Sequence, residues 1–327
     1  MAFRGKTILT SILNEVDLPM VSIVIPAYNH GNYLREAISS VLAQNYPRIE
    51  LIVIDDGSTD NTVEVLDGMK GEFHWESQIN IGQSRTLSRG WEIAKGDILG
   101  YLSADDILEP EAVGMSVSAL NDNPDAVGVY CNFNLIDNQS RLVRRVELPD
   151  FNYNEMLRKV SCPIGPGAFF KRTAYLKAGP WSPAFQQMPD YDFWLRLGLE
   201  GDFLHLSQVL AGFRVHEDSQ TYSVTTPQRA AEPVTIVANL LSHCTSKNFD
   251  ATLKDNAMAS ANLVSAQLHL RAGRFAEAAS NVRQAWRNSK STVISISTLR
   301  LLFNALINRT AHRILWSIRG FLNVGRK

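Results

Sequence analysis

Two adjacent aspartates, Asp55 and Asp56, stand in the segment IDDGSTDNT at residues 54–62. A second pair, Asp105 and Asp106, closes YLSADD at residues 101–106. Carboxylates cannot bind phosphate directly, because like charges repel. They bind it through a divalent cation, since Mg²⁺ and Mn²⁺ take oxygen ligands and bridge one or two carboxylates to phosphate oxygens. Each pair also has a plainer reading, as a turn with a helix cap or as a solvated loop. Asp60 is the better cap for the helix after IDDGSTD, which frees Asp55 and Asp56 for other work. Placement in the fold has to decide between these readings.

The elements around the aspartates are legible from periodicity. VSIVIP (21–26) and IELIVI (49–54) are short apolar runs rich in β-branched residues. Between them Leu34, Ile38, Val41 and Leu42 recur at helical spacing. Strand, helix, strand with apolar residues on both strand faces predicts a parallel sheet covered on both sides. The pattern predicts a helix after Asp60, a strand at 72–77, a helix over SRTLSRGWEIAKG closed by Gly96, and strands at 97–102 and 126–132. Residues 160–225 are less regular, with one helix expected near Tyr191. From about Pro227 the chain is Ala-rich and helical, and LRAGRFAEAASNVRQAW resembles a single tetratricopeptide-type hairpin without a second copy.

On this map PAYNHGN, DDGSTD and SADD all follow strands. In open α/β sheets, ligands bind outside the carboxyl ends of the strands. A dinucleotide-binding unit would need G-x-G-x-x-G after the first strand, and a P-loop would need G-x-x-x-x-G-K-[ST]. PAYNHGN is neither, so a glycine-rich phosphate cradle is not expected, and carboxylates with a divalent cation remain.

The chain has 327 residues, 45% hydrophobic and 20% charged, which is ordinary for a globular protein. The three cysteines, Cys131, Cys162 and Cys244, have no CxxC spacing and are expected as reduced thiols in a cytoplasmic protein. No run of about 20 apolar residues predicts a membrane span. Nine basic residues and no acidic one follow Glu277, so with a net charge of -1 the first 277 residues carry -10. The basic end alternates with Leu302, Leu306, Ile307, Ile314, Leu315, Ile318, Phe321 and Leu322 at helical spacing. It is expected either to lie on an anionic membrane surface, with Trp316 near the headgroups, or to pack on the body. No nucleic-acid module is visible.

Four ordered blocks carry a family resemblance. VSIVIPAYNHGNYLREAISSVLAQNYPRIELIVIDDGSTDNT, NIGQSRTLSRGWEIAKGDILGYLSADDILEP, GPGAFFKRTAYLKAGPWSPAFQQMPDYDFWLRL and FRVHEDSQT together resemble the family 2 glycosyltransferases over about residues 20–225. The resemblance implies a glycosyltransferase A-type α/β fold: a Rossmann-like, mainly parallel open sheet flanked by helices, here with a C-terminal helical appendage. It divides the chain into an N-terminal extension (1–19), a nucleotide-sugar-binding catalytic domain (20–226) and an α-helical region with a basic amphipathic end (227–327).

It also implies a nucleotide-diphospho-sugar donor, with UDP- or TDP-sugars expected first, and a saccharide or lipid-linked acceptor. A divalent metal, Mn²⁺ or Mg²⁺, and inversion at the anomeric carbon are implied with them. By that resemblance Pro26, Ala27, Tyr28, Asn29, Asp55, Asp56, Arg85, Ser103, Ala104 and Asp105 would bind the nucleotide, with Tyr28 and Asp56 against the base. Asp105, Asp106 and His216 would serve the metal, and Asp190 would be the catalytic base. Asp192 lies two residues on and by that spacing should point elsewhere, which leaves it the second candidate for the base.

Two departures stand out. Ser103 replaces the first aspartate of the usual Asp-x-Asp motif, and Pro189 replaces a glutamate that commonly precedes the base. They leave room for a non-catalytic nucleotide-sugar-binding or scaffold protein. A sugar nucleotidylyltransferase is a weaker alternative, because PAYNHGN is not the glycine-rich basic loop such an enzyme carries.

Overall fold

The structure, a computed structural model, describes residues 18–69, 71, 73–216, 225–243 and 249–307. The expectations for the N-terminal extension, Cys244 and the chain end that includes Ile314, Leu315, Trp316, Ile318, Phe321 and Leu322 fall almost wholly outside these residues.

The first half winds as expected. β1 (Val21–Ala27), α1 (Gly31–Leu42), β2 (Ile49–Asp55), α2 (Thr62–Asp67), β3 (His74–Ser77), α3 (Gln83–Ile93) and β4 (Ile98–Tyr101) build four parallel strands in the order β3-β2-β1-β4. Then come β5 (Ile107–Leu108), α4 (Ala112–Asp122), β6 (Gly128–Ile136), β7 (Leu142–Val146), α5 (Tyr153–Lys159), β8 (Phe169–Lys171), α6 (Arg172–Ala178), α7 (Pro189–Leu197) and β9 (Phe203–Arg214). Here the sheet becomes mixed. β8 runs antiparallel to β4 and β6, while β9 is parallel to β6. Short antiparallel pairings add β7 to β6 and β5 to β9.

Strand alternation sorts the core into two layers. Val21, Ile23 and Ile25 of β1 face Leu34, Ile38 and Val41 of α1, and Val113 and Val117 of α4 complete that layer. Val24, Ile52 and Ile54 face the other side, against Leu87 and Trp91 of α3 and Phe193 and Trp194 of α7. Trp91 is fully buried, stacks on Phe193 at 5.6 Å, and donates its indole N–H to the Gly100 carbonyl at 3.0 Å. That satisfies the polar atom that burying a tryptophan would otherwise strand.

α3 ends at Ile93 rather than at Gly96. Ala94 already has an extended ψ of 145°, which stops the helix. Gly96 is small for a different reason: a Cβ there would lie 2.5 Å from the Ser22 amide nitrogen of β1. Gly90, inside α3, likewise faces β1, and a Cβ would stand 2.4 Å from Val24 Cγ1. Gly90→Ala is expected to destabilise the protein by about 1–3 kcal/mol through overpacking, although Ala is intrinsically the better helix former by about 1 kcal/mol. Thermal or urea denaturation checks this, and a stabilised variant would show that β1 and α3 separate freely.

The last described helices are α8 (Pro227–Ala230), α9 (Glu232–His243), α10 (Ala251–Arg271), α11 (Phe275–Asn288) and α12 (Lys290–Val293), followed by helical residues 296–307. α10 and α11 form the hairpin read from the sequence, turning at Gly273 with φ +79°. They do not stand apart. Ile236, Val237, Leu240, Ala257 and Ala261 join Tyr153, Leu157, Tyr191 and Leu195 of α5 and α7 in a third core cluster.

Candidate active site

The loops after β1 and β2 are tied together by side chains. Asn29, at φ 55°, takes the left-handed conformation that Asn tolerates. Its amide donates to Ser58 Oγ at 2.9 Å, and its Oδ1 accepts from the Thr59 amide at 2.7 Å. The N-cap of α2 is Asn61, which makes no side-chain cap, and the expected cap, Asp60, stands one residue before it. Asp60 accepts from the Thr62 amide at 3.0 Å and from the Gly31 amide at the start of α1, also at 3.0 Å. Burial pushes its carboxyl up, but the Thr62 hydroxyl and then these backbone N–H groups together bring it below its ordinary value.

Asp55 and Asp56 are both buried, and their oxygens are occupied by protein donors. Asp55 accepts from the Ser58 amide at 3.1 Å and Ser77 Oγ at 2.6 Å. Asp56 accepts from Gln78 Nε2, Ile81 N and Gly82 N, each at 2.8 Å. The pair therefore anchors the loop that leads into α3.

Beside this hub lies a cavity of about 390 Å³, within the usual size range for small-ligand sites. Pro26, His30, Gln83, Tyr101, Ser103, Ala104 and Asp105 line it from the strand ends. Trp181, Gln186, Gln187, Pro189 and Asp190 line it from the side of α7. Pairing of β1 with β4 stops at Val24, so Pro26, which has no N–H, removes no ladder bond on that side. Tyr101, the last residue of β4, and Ser103, Ala104 and Asp105 just beyond it line the cavity.

Asp190 occupies the first turn of α7, whose first residue is Pro189. The residue as a whole is half-buried, with its carboxyl turned inward from water. Desolvation raises its pKa, partly offset by hydrogen bonds from the backbone at the helix start. Its charge in turn helps push the Tyr101 hydroxyl and the Cys162 thiol up, after burial itself. Asp192 points elsewhere, as expected: it is bound to Arg196 Nη2 at 2.7 Å.

A second feature brings three chain segments together. His30 after β1, Asp105 after β4 and His216 after β9 place one ligand atom each within 4.8 Å of one another. His216 Nε2 lies 2.9 Å and His30 Nε2 3.9 Å from Asp105 Oδ2. Arg214 braces this cluster from below. It is 1% exposed, and its Nε donates to the Asp105 carbonyl at 2.7 Å. It also reaches Glu36 at 2.8 Å and the Asp137 carbonyl at 2.8 Å, and its guanidinium lies 4.8 Å over the Tyr33 ring.

Asp106 does not join the cluster. It is buried and accepts from the Arg214 amide at 2.8 Å. Burial first, then the neighbouring Asp105 charge, push its carboxyl well above the ordinary range.

The structure thus collects Pro26, Ser103, Ala104, Asp105 and Asp190 around one cavity and sets His216 behind Asp105. Ala27, Tyr28, Asn29, Asp55 and Asp56 are not among its described lining residues, and Tyr28 is exposed. Arg85 lines an adjoining cavity of about 300 Å³ that shares Gln83, Gln186 and Pro189 with the first. Sequence reasoning missed His30, Tyr101, Trp181, Gln186 and Gln187. For His30 the signal was present, a histidine three residues beyond a strand end. The others depend on long-range packing.

Comparison with known proteins bears on the family and the fold. A family described as glycosyl transferase family 2 matches residues 22–178. A Rickettsia typhi protein named as an uncharacterized glycosyltransferase is 34% identical over 212 residues, covering 62% of this chain and 66% of that protein. The chondroitin synthase and hyaluronan synthase of Pasteurella multocida are 31% and 32% identical over 62% and 64% of this chain, which spans only 21% and 22% of their length.

Among solved structures, S. aureus TarS 1-349 in complex with UDP-GlcNAc superposes with a TM-score of 0.58 at 15% identity, over 89% of this chain and 80% of that one. The mannosyltransferase PcManGT from Pyrobaculum calidifontis, in complex with GDP-Man and Mn²⁺, gives 0.56 at 18% identity, over 93% and 89%. At such identities these two likenesses speak for the fold.

Proposed function

Residues 22–178 belong to glycosyl transferase family 2, and from that premise we propose that the protein transfers a sugar from a nucleotide-diphospho-sugar to an acceptor hydroxyl with inversion. The observation that carries the proposal is that one cavity is lined both by Ser103, Ala104 and Asp105, from the loop after β4, and by Asp190, from the first turn of α7. A donor diphosphate and an attacking hydroxyl need groups from two such elements facing one space.

In this reading residues 20–226 are the catalytic unit and 227–327 its helical region. Tyr28 and Asp56 flank the base, and Asp105 faces the ribose and diphosphate end. Asp190 takes the proton of the acceptor hydroxyl as its oxygen attacks the anomeric carbon. The bond to the diphosphate breaks on the opposite face, which inverts the centre. A retaining double displacement needs a second, nucleophilic carboxylate. Among the described residues lining the cavity the other carboxylate is Asp105, already bonded to His216.

The residues fit a divalent cation. His30, Asp105 and His216 offer two imidazoles and a carboxylate in one place, and His30 Nδ1 is buried without a hydrogen-bond partner. A nitrogen-rich set suits Mn²⁺ better than Mg²⁺, which prefers all-oxygen ligands. Bound there, the cation would neutralise charge building on the departing diphosphate.

The relatives' names support a saccharide acceptor, and the bound UDP-GlcNAc and GDP-Man of the structural neighbours support a nucleotide-sugar donor. No helix among the described residues is long and apolar enough to cross a membrane. Exposed Ile294, Ile296, Leu299 and Phe303 near Lys290 and Arg300 support peripheral contact with an anionic bilayer through this end.

Calorimetry with UDP, TDP, GDP and CDP, with and without Mn²⁺, tests the reading. One nucleotide is expected to bind, with affinity strengthened by Mn²⁺, and Asp105→Ala is expected to abolish the strengthening. Binding of none of them under any metal condition would sink the proposal. His30→Ala should weaken Mn²⁺ itself by about 10-fold or more, read by electron paramagnetic resonance on the protein alone. Unchanged Mn²⁺ affinity would remove His30 from the ligand set.

A further inference from the structure

Glu232 is a buried carboxylate, 7% exposed, that opens α9 outside the catalytic unit. It accepts from three consecutive backbone amides of the segment before α7: Gln186 at 2.9 Å, Gln187 at 2.6 Å and Met188 at 3.1 Å. Among the described residues no cation pairs with it. Its charge is met instead by those three N–H groups and by its place in the first turn of α9, where the helix dipole favours an anion.

Met188 is also the N-cap of α7, which makes no side-chain cap of its own. Glu232 therefore supplies from another helix the acceptor that the start of α7 lacks. The same side of the molecule holds the two glutamine side chains. Arg229 of α8 donates to Gln186 Oε1 at 2.6 and 3.0 Å. Thr225 Oγ1 donates to Gln187 Oε1 at 2.7 Å, and Arg274 holds the Thr225 carbonyl at 2.8 Å.

We propose that Glu232 is a positioning residue for the transfer reaction: it fixes the Gln186–Met188 segment, and so sets Asp190 and the two glutamines against the acceptor end of the cavity. Asp190 lies two residues beyond Met188, on the first turn that this clamp holds. Gln186 and Gln187 both line the cavity. The C-terminal helices then complete the active site rather than decorate it. The proposal rests on the transferase reading above.

The test compares wild type, Glu232→Ala and Glu232→Gln by kcat, by nucleotide affinity, and by hydrogen exchange at the amides of Gln186, Gln187 and Met188. Gln keeps the shape and one acceptor oxygen, so its effects should be intermediate, which also guards against a poorly folding Ala variant. A displacement of Asp190 by about 1 Å should lower kcat about 10²-fold in Glu232→Ala, with nucleotide affinity unchanged and the three amides exchanging faster. Two results would overturn the proposal: a kcat within about twofold of wild type, or kcat and nucleotide affinity falling together in both variants, as general unfolding would produce. If wild type turns over no nucleotide-sugar at all, the transferase reading fails instead. The exchange rates then decide on their own whether Glu232 fixes the segment, and unchanged rates reject it.

Discussion

Asp190→Asn is expected to lower turnover by about 10²–10⁴-fold, the usual contribution of a general base, while nucleotide affinity stays as in wild type. The substitution keeps the shape of the side chain and the backbone hydrogen bonds at the start of α7, so what it removes is the proton acceptor. Initial rates against acceptor concentration, with a parallel nucleotide titration, check this. A variant with wild-type kcat would give the base to another group.

The raised pKa of Asp190 adds two signed expectations. Activity needs the ionised form, so the acid limb of the rate profile should lie above the ordinary carboxylate pKa of about 4. Stability runs the other way. Below the unfolded-state pKa the group is protonated in both states and its stabilising contribution is fully present. As pH rises through the raised folded-state pKa, the folded protein must carry a poorly solvated charge, and the contribution is lost. Asn has no such charge, so the inactive variant should melt higher than wild type at neutral pH. A lower midpoint for Asp190→Asn would mean that the helix start stabilises the charge by more than desolvation costs.

The largest expected effect on stability is at Arg214. Arg214→Met keeps the buried stem but removes a guanidinium that holds the Asp105 and Asp137 carbonyls and the Glu36 carboxylate. Removing one partner of a buried network strands the others, and about 3 kcal/mol is expected here. Glu36 is half-exposed and can turn to water, which places the value at the low end for a buried pair. Because Arg214 carries Asp105, Mn²⁺-dependent nucleotide binding should weaken in the same variant even under conditions where it is fully folded. Denaturation and calorimetry on one preparation separate the two effects. Loss of stability with unaltered metal dependence would confine Arg214 to the core.

Much of this was readable from local pattern. The parallel half, β3-β2-β1-β4, follows from two-sided apolar strands alternating with helices, and strand-end loops pointed to Asp105. The mixed half was less readable, because β8 has only three residues and its antiparallel pairing with β4 and β6 is set by distant partners. Within the site, the adjacent aspartates of each pair looked alike in sequence. Burial separates Asp106, bonded to the Arg214 amide, from Asp105, which faces the cavity. Asp55 and Asp56 showed the opposite limit: apart from the local bond of Asp55 to the Ser58 amide, their hydrogen bonds run to Ser77, Gln78, Ile81 and Gly82, more than twenty residues on. Glu232 gave no local signal at all, being an ordinary first-turn glutamate until the loop it holds is placed beside it.

The third core cluster bears on how this chain can be recombined with its relatives. Tyr191 and Leu195, on the helix that carries Asp190, bury against Ile236, Val237, Ala257 and Ala261. A chimera spliced near residue 226 would cut through a shared interior and leave half of it facing water. An exchange of C-terminal segments that keeps a working enzyme has to carry α5 and α7 along with α9 and α10, or redesign both sides of the seam together.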